Sequence, residues 1–423
     1  MKERNLGFHI PGHHQGQGVP SGLKQLITEF GFSADITEVS DLDDIHNPHN
    51  QCLHAQKLAA AAYGSDETFF LINGSTVGNQ AMFLATLGPE DTVLMPYSSH
   101  RSAFSALILS GAKACLFSTM IHPELLCALP PTLKEVQRAL EHCSHAKALF
   151  LTSPNYHGAV AELAEIKSEL DKRGILLLVD EAWGGHLRFS EELPNSAVQI
   201  RADLVVQSSH KMTPALTQTA LLHRCGQRVD THRIKSTLSH LQTSSPSSLL
   251  VASIDIARRQ MALHGQKLIH QALEFAEIAS RRINALPGVS CFTWSGRTAW
   301  DKTRLIVNTL ERGYSGHQLA LHLRKKHAIQ VEMSEAHQVL LVAFPDHTQG
   351  DLEHLLFALS ELNNGDTNLN IAELRKSSQN LKAREPLFID LRHIFQSASE
   401  TCNLENAIGR VSAELLYLSL IHI

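Results

Sequence analysis

A lysine and an aspartate stand where they could act together on a small molecule. The apolar run 202–207 predicts a strand that ends shortly before Lys211, and the apolar run 175–179 predicts another that ends at Asp180. Open α/β sheets bind ligands beyond the carboxyl ends of their strands. An amine and a carboxylate on neighbouring strands suit pyridoxal 5′-phosphate (PLP), because the lysine forms a Schiff base with the aldehyde and the aspartate keeps the pyridine nitrogen protonated.

A glycine-containing turn between a predicted strand and a predicted helix could bind an anion. The apolar run 68–72 is followed by the sequence NGST at 73–76. Glycine lets the backbone come close to a ligand, hydroxyl groups can hydrogen-bond it, and a helix N-terminus presents free N–H groups. The same pattern also suits a plain helix cap by Ser75, so the turn by itself leaves both interpretations open.

His100 stands at another junction between a predicted strand and a predicted helix. The apolar run 92–95 precedes it, and a helix is predicted to follow as far as Gly111. An imidazole at this place could stack on a flat heteroaromatic ring, whereas a lone histidine is more often only a loop residue. Both interpretations of His100 stay open on these grounds.

Histidine is frequent in this chain, with 26 residues among 423. His9, His13 and His14 form one group near the start, and His46 and His49 form a pair. Imidazole is a common metal ligand, but no HExxH motif and no carboxylate–histidine spacing of a known metal site accompanies them. The expectation is therefore loop histidines near an anionic site and no bound metal.

Composition and charge are those of an ordinary soluble protein. Hydrophobic residues make up 43% of the chain, charged residues make up 19%, and the net charge is -5. No long basic run points to nucleic acid or to an anionic membrane, and no apolar stretch approaches the roughly eighteen residues of a membrane span. The start lacks the apolar core of a signal peptide, so the expected location is the cytoplasm. Seven cysteines without CxxC spacing predict reduced thiols.

Strand and helix patterns alternate along most of the chain. This alternation predicts an α/β large domain of three αβα layers around a mainly parallel sheet. A long helical pattern from Val251 to about Leu286 leads out of that domain, and short strands then alternate with helices up to Leu362. This later stretch predicts a smaller α/β domain.

The predicted organisation has four parts. Residues 1–50, rich in Gly, Pro, His and Asn, form an N-terminal arm. Residues 51–286 form the PLP-binding large domain, and residues 287–362 form the small α/β domain. Residues 363–423 are predicted as a linker and the start of a further C-terminal domain.

Nine segments, in order along the chain, resemble the Orn/Lys/Arg decarboxylase family of PLP enzymes. They are FHIPGHHQGQG (8–18), SDLDDIHNP (40–48), FFLINGSTVGN (69–79), SSHRSAFSALILSGA (98–112), TSPNYHG (152–158), VDEAWGGH (179–186), QSSHKMTPALTQTALLH (207–223), QTSSPS (242–247) and NAIGRVSAEL (406–415). Any one of these segments would be weak evidence for the family, but nine of them in the family's order are specific evidence. The resemblance implies a PLP-dependent transferase-like large domain of aminotransferase fold type I.

The resemblance also implies roles for the residues noted above. Lys211 would be the Schiff-base lysine and Asp180 the partner of the pyridine nitrogen. Three hydroxyl side chains would bind the phosphate of PLP, namely Ser75, Thr76 and Ser208. On this basis Lys211 and Asp180 are catalytic as well as cofactor-binding residues.

Four further positions complete the implied site. His100 would stack on the cofactor ring and take part in catalysis, and Ala182 would lie against the opposite face. His210 would contact the cofactor or shuttle a proton in catalysis. Thr243 matches a residue that in relatives reaches the phosphate of the neighbouring subunit. The resemblance therefore implies a homodimer, or a higher homo-oligomer, with active sites at the subunit interface.

Two departures from the family pattern concern the ends of the chain. Long members carry an N-terminal receiver-like domain, whereas this chain begins almost at the FHIPGHH segment. Relatives continue after the stretch that matches 406–415 into a proline-rich segment and a further domain, whereas this chain turns to YLSLIHI. We therefore expect the C-terminal domain to be truncated, which puts assembly and full activity in question.

The implied function is decarboxylation of a basic L-amino acid, arginine, lysine or ornithine, to an amine and carbon dioxide, as in polyamine biosynthesis. Alternatives are another fold-type-I PLP reaction, such as transamination or aldol-type cleavage, and a catalytically impaired, truncated homologue. Glu332 is a candidate partner for the distal cation of the substrate, although a solvated loop glutamate would look the same in sequence. The sequence does not choose among the three amino acids, nor between a biosynthetic and an acid-stress role.

Overall fold

The structure, a computed structural model, describes residues 6–398 apart from residues 12, 14–16, 37–42, 295–297, 364 and 366–385, together with residues 400 and 406. In chain order the strands are β1 (Leu6–Phe8), β2 (Glu67–Leu71), β3 (Thr92–Pro96), β4 (Lys113–Phe117), β5 (Ala148–Thr152), β6 (Leu176–Asp180), β7 (Leu204–Ser208), β8 (Ala220–Arg224), β9 (Ser290–Cys291), β10 (Arg304–Asn308), β11 (Ile329–Val331), β12 (Met333–Ser334), β13 (Val339–Val342) and β14 (Leu387–Ile389). The α-helices are α1 (Ser21–Gln25), α2 (Gln51–Tyr63), α3 (Gly74–Thr86), α4 (Arg101–Ser110), α5 (Leu133–His142), α6 (Leu163–Lys172), α7 (Thr231–Leu241), α8 (Ser248–Ile283), α9 (Gly316–His327), α10 (Gln349–Ser360) and α11 (Leu391–Gln396).

The largest sheet in the described part of the chain has eight strands in the order β14-β4-β3-β5-β6-β7-β8-β2. Strands β3 to β7 pair with one another in parallel, whereas β8, β2 and the edge strand β14 pair antiparallel with their neighbours. Helices α3, α4 and α7 pack on one face, and α5 and α6 pack on the other. The predicted three-layer αβα fold with a mainly parallel sheet is confirmed.

Strand β6 shows why both faces of this sheet are covered. Leu178 packs into the core beneath α3 and α4, while Leu177 and Val179 pack into the core beneath α5 and α6. Successive side chains of a strand point to opposite faces, so a strand that is apolar at every position needs helices on both sides. The uninterrupted apolar run therefore predicts a central strand.

Helix α3 lies unusually close to the sheet at its first turns. A Cβ atom added to Gly78 would stand 2.3 Å from Cγ2 of Val206 in β7. Any side chain at position 78 would push the helix away from the strand, because no real Cβ contact is that short. Glycine therefore lets the N-terminus of α3 reach the carboxyl end of β7.

A second sheet, with the order β12-β13-β10-β9, follows helix α8, and all its pairings are antiparallel. Helices α9, α10 and the C-terminal part of α8 share one core with it, which includes Ala276, Leu319, Leu341 and Leu355. Strand β1 pairs in parallel with β11 and ties the arm to this unit. The domain boundaries at 286 and 362 remain predictions.

Helix α8 connects the two units. It has 36 residues, a length of about 54 Å at 1.5 Å per residue. Gly265 near the middle of α8 lets the helix lie close to Phe189, since an added Cβ would lie 2.8 Å from Cβ of Phe189. Neither α8 nor any other helix in the described ranges is both long enough and apolar enough to cross a membrane.

The segment 363–423, predicted as a linker and the start of a C-terminal domain, contains β14 and α11. Strand β14 extends the large sheet by pairing with β4. Nε of Arg392 in α11 donates to the carbonyl oxygen of Ile108 at 2.7 Å, and Nη2 donates to that of Leu109. These bonds hold α11 against the end of α4. Most of the remaining segment, including nearly all of the NAIGRVSAEL landmark, lies outside the described residues, so the truncated domain stays an expectation.

Candidate active site

The fold brings Lys211 and Asp180 to the same edge of the large sheet. Strands β6 and β7 are parallel neighbours, and Asp180 is in register with Val206. Lys211 follows three residues after the end of β7. The prediction that these two side chains end adjacent strands is confirmed, and it places both at the edge where α/β sheets bind ligands.

Lys211 lies partly buried against two aromatic rings. Its Nζ is 4.6 Å from the ring centroid of Trp183 and 5.8 Å from that of Tyr156. Burial lowers the pKa of Lys211 to about 8, although the nearby carboxylates of Asp180 and Glu332 act in the opposite direction. An amine with such a pKa has both its neutral and its protonated form available near neutral pH, as a nucleophile and acid–base group requires.

Asp180 is held in one orientation by a network that reaches His100. Its Oδ2 accepts a hydrogen bond from Nδ2 of Asn79 at 2.8 Å, and its Oδ1 accepts one from the backbone N–H of Ala182 at 3.1 Å. Nδ2 of Asn79 also donates to Oγ of Ser102 at 2.7 Å, and this hydroxyl lies 2.8 Å from Nδ1 of His100. The carboxylate is therefore buried but hydrogen-bonded on both oxygens.

His100 is the N-cap of helix α4. Its Nδ1 accepts a hydrogen bond from the backbone N–H of Ser102. Burial lowers the pKa of His100, and the charges of Lys211 and Arg101 act in the same direction, opposed by Asp180. The imidazole is therefore neutral near pH 7, with a flat face available at the end of β3.

Asn79 and Ser102 are the members of this network that sequence reasoning missed. Asn79 lies one helical turn after Ser75, on the same face of α3, and is almost fully buried. An amide that is buried in a helix needs hydrogen-bond partners. The i, i+4 spacing from the serine of the turn was the signal in the sequence that could have identified it.

The hydroxyl groups of Ser75 and Ser208 meet at the N-terminus of α3. Their Oγ atoms are 2.7 Å apart. Asn73, not Ser75, is the N-cap residue of the helix, so the interpretation of Ser75 as a plain helix cap was wrong. Thr76 is exposed in the same first turn. Two hydroxyls and the free N–H groups of a helix N-terminus form an arrangement that binds anions.

His210 and Thr243 have different surroundings. Nδ1 of His210 lies 2.9 Å from the carbonyl oxygen of Thr219, so Nδ1 carries the proton, and burial lowers the pKa of the ring. Thr243 is exposed on this single chain, where its Oγ1 is 3.3 Å from Oγ of Ser245. Its carbonyl oxygen is 2.8 Å from Nε2 of His46. The predicted reach of Thr243 to a neighbouring subunit stays a prediction.

The site has buried polar atoms that fit a bound polar molecule. Oγ1 of Thr152, Oγ of Ser209 and Oδ1 of Asn79 are buried without a hydrogen-bond partner in the described part of the chain. Thr152 is in register with Asp180 on the adjacent strand, and Ser209 follows β7 directly. Buried polar atoms are normally paired. Together with the anion-binding turn, the carboxylate and the lysine, they fit a phosphorylated, hydrogen-bonding ring such as PLP.

Two side chains of the second unit reach this site. Glu332 is partly buried between β11 and β12, where it accepts a hydrogen bond from the backbone N–H of Ile10 at 2.9 Å. Burial raises its pKa, opposed by Arg304 and Lys211. Arg304 is buried beneath Trp183, with its guanidinium carbon 4.8 Å from the ring centroid. Glu332 is therefore partly buried and close enough to Lys211 to influence its pKa, and not a fully solvated loop glutamate.

Comparison with known sequences gives the following relationships. The sequence model of the family described as Orn/Lys/Arg decarboxylase, major domain, matches residues 1–307. An arginine decarboxylase of Bacillus cereus is 35% identical over 421 residues, which cover 98% of this chain and 91% of that protein. Lysine decarboxylase LdcA of Pseudomonas aeruginosa is 26% identical over 303 residues, which cover 65% of this chain and 40% of that protein.

A solved structure gives the same relationship at the level of the fold. The lysine decarboxylase LdcF of Francisella novicida superposes with a TM-score of 0.70 at 18% identity, over 85% of this chain and 58% of that chain. The present chain therefore spans less than three fifths of that enzyme. At this identity the likeness concerns the fold alone.

Proposed function

The chain belongs to the Orn/Lys/Arg decarboxylase family, and on that premise we propose that it decarboxylates L-arginine with Lys211 and Asp180 as its central catalytic residues. Membership makes it a PLP-dependent decarboxylase of a basic amino acid. The proposal adds the substrate and the roles of individual side chains. The observation that carries it is the convergence of Lys211, Asp180 and the Ser75–Ser208 pair at one edge of the sheet.

Arginine is favoured among the three basic amino acids on two grounds. The relative named as an arginine decarboxylase has a higher sequence identity to this chain than the relative named as a lysine decarboxylase, and it matches more of the chain. In addition, Glu332 provides a partly buried carboxylate near Lys211. A carboxylate can accept two parallel hydrogen bonds from a guanidinium group, which an ammonium group cannot donate in that geometry.

Replacement of Glu332 by glutamine is expected to raise KM for arginine by about tenfold to a hundredfold and to change kcat much less. The substitution keeps the shape of the side chain but removes the charge, and hydrogen bonds to charged groups contribute about 1.5–3 kcal/mol. The measurement is the rate of carbon dioxide release against arginine concentration. The control is Glu311→Gln, which removes an exposed carboxylate from the same unit; equal KM values for both variants would exclude Glu332 from substrate binding.

Bound PLP supplies the electron sink for the electron pair that remains at Cα when carbon dioxide leaves. The protein groups that would hold it are those described above. Ser75, Ser208 and the N–H groups of α3 would bind the phosphate. Asp180, fixed by Asn79 and Ala182, would present a negative charge to the pyridine nitrogen, and neutral His100 would stack on the ring.

Lys211 is the group that holds and moves protons at the reacting carbon. Decarboxylation breaks a carbon–carbon bond and forms a carbon–hydrogen bond, so each turnover consumes one proton. The Lys211 ammonium donates that proton to Cα and is then reprotonated, so that the net proton comes from solvent. Because its pKa is about 8, Lys211 releases a proton more easily than an ordinary lysine, whose pKa is about 10.4.

The capture of PLP by the cofactor-free chain is expected to speed up as pH rises through about 8 and to level off above it. Only the neutral amine attacks an aldehyde, and the pKa of Lys211 is lowered to about 8, chiefly by burial. The neutral fraction of Lys211 therefore rises through this window, about two pH units below that of an exposed lysine. The measurement is the rate of visible absorbance change on addition of PLP at pH 6.5–10. A rate that shows no levelling and still rises tenfold per pH unit up to pH 10 would contradict the lowered pKa.

The proposed activity is tested by incubating the purified chain and PLP with arginine, lysine and ornithine in turn while carbon dioxide and product amine are measured. Arginine is expected to release equal amounts of carbon dioxide and amine, faster than either of the others. A keto acid without carbon dioxide would indicate transamination. PLP binding without any product would indicate an impaired homologue.

The oligomeric state belongs to the same proposal. Thr243 is exposed on the single chain, and the resemblance to the family assigns its counterpart to the phosphate of the neighbouring subunit. We therefore take the active form to be a homodimer whose two sites are each completed by the partner. The test measures sedimentation and activity over the same dilution series. If the dimer is the active form, the sedimentation coefficient and the specific activity should fall over the same range of protein concentration.

A further inference from the structure

A partly open cavity lies next to Met212, the residue after Lys211, and apart from the candidate PLP ligands. It has a volume of about 260 Å³, slightly below the range of about 300–1,000 Å³ typical of drug-sized ligand sites, which suits a small ligand. The arm contributes Gln17 to its wall, helix α8 contributes Gln260, the segment after β13 contributes Asp346, and the position after Lys211 contributes Met212. None of the described residues that line it is among the predicted cofactor ligands. We call this space the α8 cavity.

The polar groups of the α8 cavity are suited to a positively charged molecule. Asp346 supplies a carboxylate, Gln17 and Gln260 supply amide oxygens, and no lysine or arginine is present among the described residues of the wall. His186 also lines the cavity, and its Nδ1 is buried with no hydrogen-bond partner among the described residues. Its Nε2 lies 3.1 Å from Oδ2 of Asp301. With the proton on the nitrogen that faces this carboxylate, Nδ1 is a hydrogen-bond acceptor.

Apart from the hydroxyl of Thr303, the rest of the wall is apolar and is formed mainly by methionine, leucine, isoleucine, valine, alanine, proline and phenylalanine side chains. A ligand with a methylene chain and cationic nitrogen groups matches such a wall. An amino acid with the same side chain matches it less well, because its α-carboxylate would find no arginine or lysine among the described residues of the wall, and an unpaired buried charge is costly. The cavity therefore favours an amine over the amino acid from which it is formed.

The α8 cavity is connected to the catalytic lysine through the side chains of Arg304 and Trp183. Met212 and Thr303 both line it, and both accept from Nη1 of Arg304, at 3.2 Å for Sδ and 2.9 Å for Oγ1. Arg304 in turn lies against one side of Trp183, whose ring is 4.6 Å from Nζ of Lys211. A molecule in the cavity therefore touches the two side chains that hydrogen-bond Arg304. Arg304 is separated from the amine of Lys211 by the ring of Trp183.

From these contacts we propose that the α8 cavity is a second binding site for an aliphatic amine with cationic ends, the class of molecule that decarboxylation releases, and that its occupation slows turnover. The inference rests on the proposed function for the identity of the amine, which for arginine is 4-aminobutylguanidine. Product that accumulates then reduces its own formation without competing for the substrate position.

The test uses the full-length chain with PLP and 4-aminobutylguanidine as the probe. Rates of carbon dioxide release are measured over a range of arginine concentrations, and binding of the amine is measured by calorimetry. The variants are Asp346→Asn, Gln260→Leu as a second change to the wall, and Glu311→Gln as the matched control. The active site is the same in all of them, so a difference in binding between variants reports the cavity.

The amine is expected to lower kcat at saturating arginine in the unaltered chain. Asp346→Asn is expected to weaken binding at the cavity by at least about tenfold, Gln260→Leu by several-fold, and Glu311→Gln not at all. Inhibition that disappears at saturating arginine, or equal binding by all four proteins, would overturn the proposal. If no amino acid releases carbon dioxide, the proposed function fails, while the binding comparison still decides the existence of the site.

Discussion

Replacement of Lys211 by alanine is expected to lower kcat by at least about 10⁴-fold. The substitution removes the amine that joins the aldehyde of PLP and also the group that donates a proton to Cα, and groups that act as one unit lose most of their effect when any one is removed. Carbon dioxide release from arginine is the measurement. The variant is also expected to lose the visible absorption that lysine-bound PLP gives.

The fold itself is expected to tolerate this change. Lys211 is partly buried and burial disfavours its charged form, so alanine removes an unfavourable desolvation and leaves the sheet intact. Thermal unfolding checks this, with Lys267→Ala as the control, since Lys267 is exposed on α8. Turnover by Lys211→Ala within tenfold of the control, in well-folded protein, would mean that another residue carries the reaction.

Asp180→Asn is expected to lower kcat by about 10²–10³-fold with little change in KM for arginine. The negative charge that would keep the pyridine nitrogen protonated is lost, so the ring would accept electrons less readily, and this loss acts mainly in the transition state. The geometry survives the substitution. The new Oδ1 still accepts from Ala182, and the Asn79 amide can reverse to accept from the new NH₂ group, although this gives up the hydrogen bond that its Nδ2 donates to Oγ of Ser102.

Steady-state kinetics and a PLP binding titration together check this second expectation. The control is Asp171→Asn, because Asp171 is an exposed carboxylate whose ion pairs with Lys167 and Arg228 lie at the surface, where such pairs contribute little. Wild-type kcat in Asp180→Asn would show that the pyridine nitrogen does not depend on this carboxylate. A large loss of PLP binding with unchanged kcat at saturating PLP would show that Asp180 only positions the cofactor.

Much of the large sheet and the positions of Lys211 and Asp180 could be predicted from sequence, because their signals are local. The apolar runs of β6 and β7 have the length of central strands and stop at polar residues. Where such strands are parallel neighbours, their carboxyl ends meet at one edge of the sheet. A prediction of this kind needs only a strand pattern and the residue that follows it.

The remaining parts of the site depend on contacts that no local pattern encodes. Glu332 and Arg304 reach Lys211 from a unit that begins after α8, and Trp183 becomes a platform for the lysine only when β6 and β7 are assembled. Strand β14 was likewise not predicted, because three apolar residues are too few to distinguish a strand from a turn. These features follow from the packing of distant segments and require the three-dimensional structure.

The pairing of β14 with β4 has a consequence for the order in which the molecule is made. Leu387 lies opposite Leu116, so the outer edge of β4 has no partner from β14 until the chain has been synthesised past residue 387, more than 260 residues after β4. An uncovered edge presents free N–H and C=O groups to any other extended chain. During synthesis, and in any fragment that ends before residue 387, that edge is therefore open to association with a second nascent molecule. Pairing with β14 covers the edge and so protects the protein against aggregation.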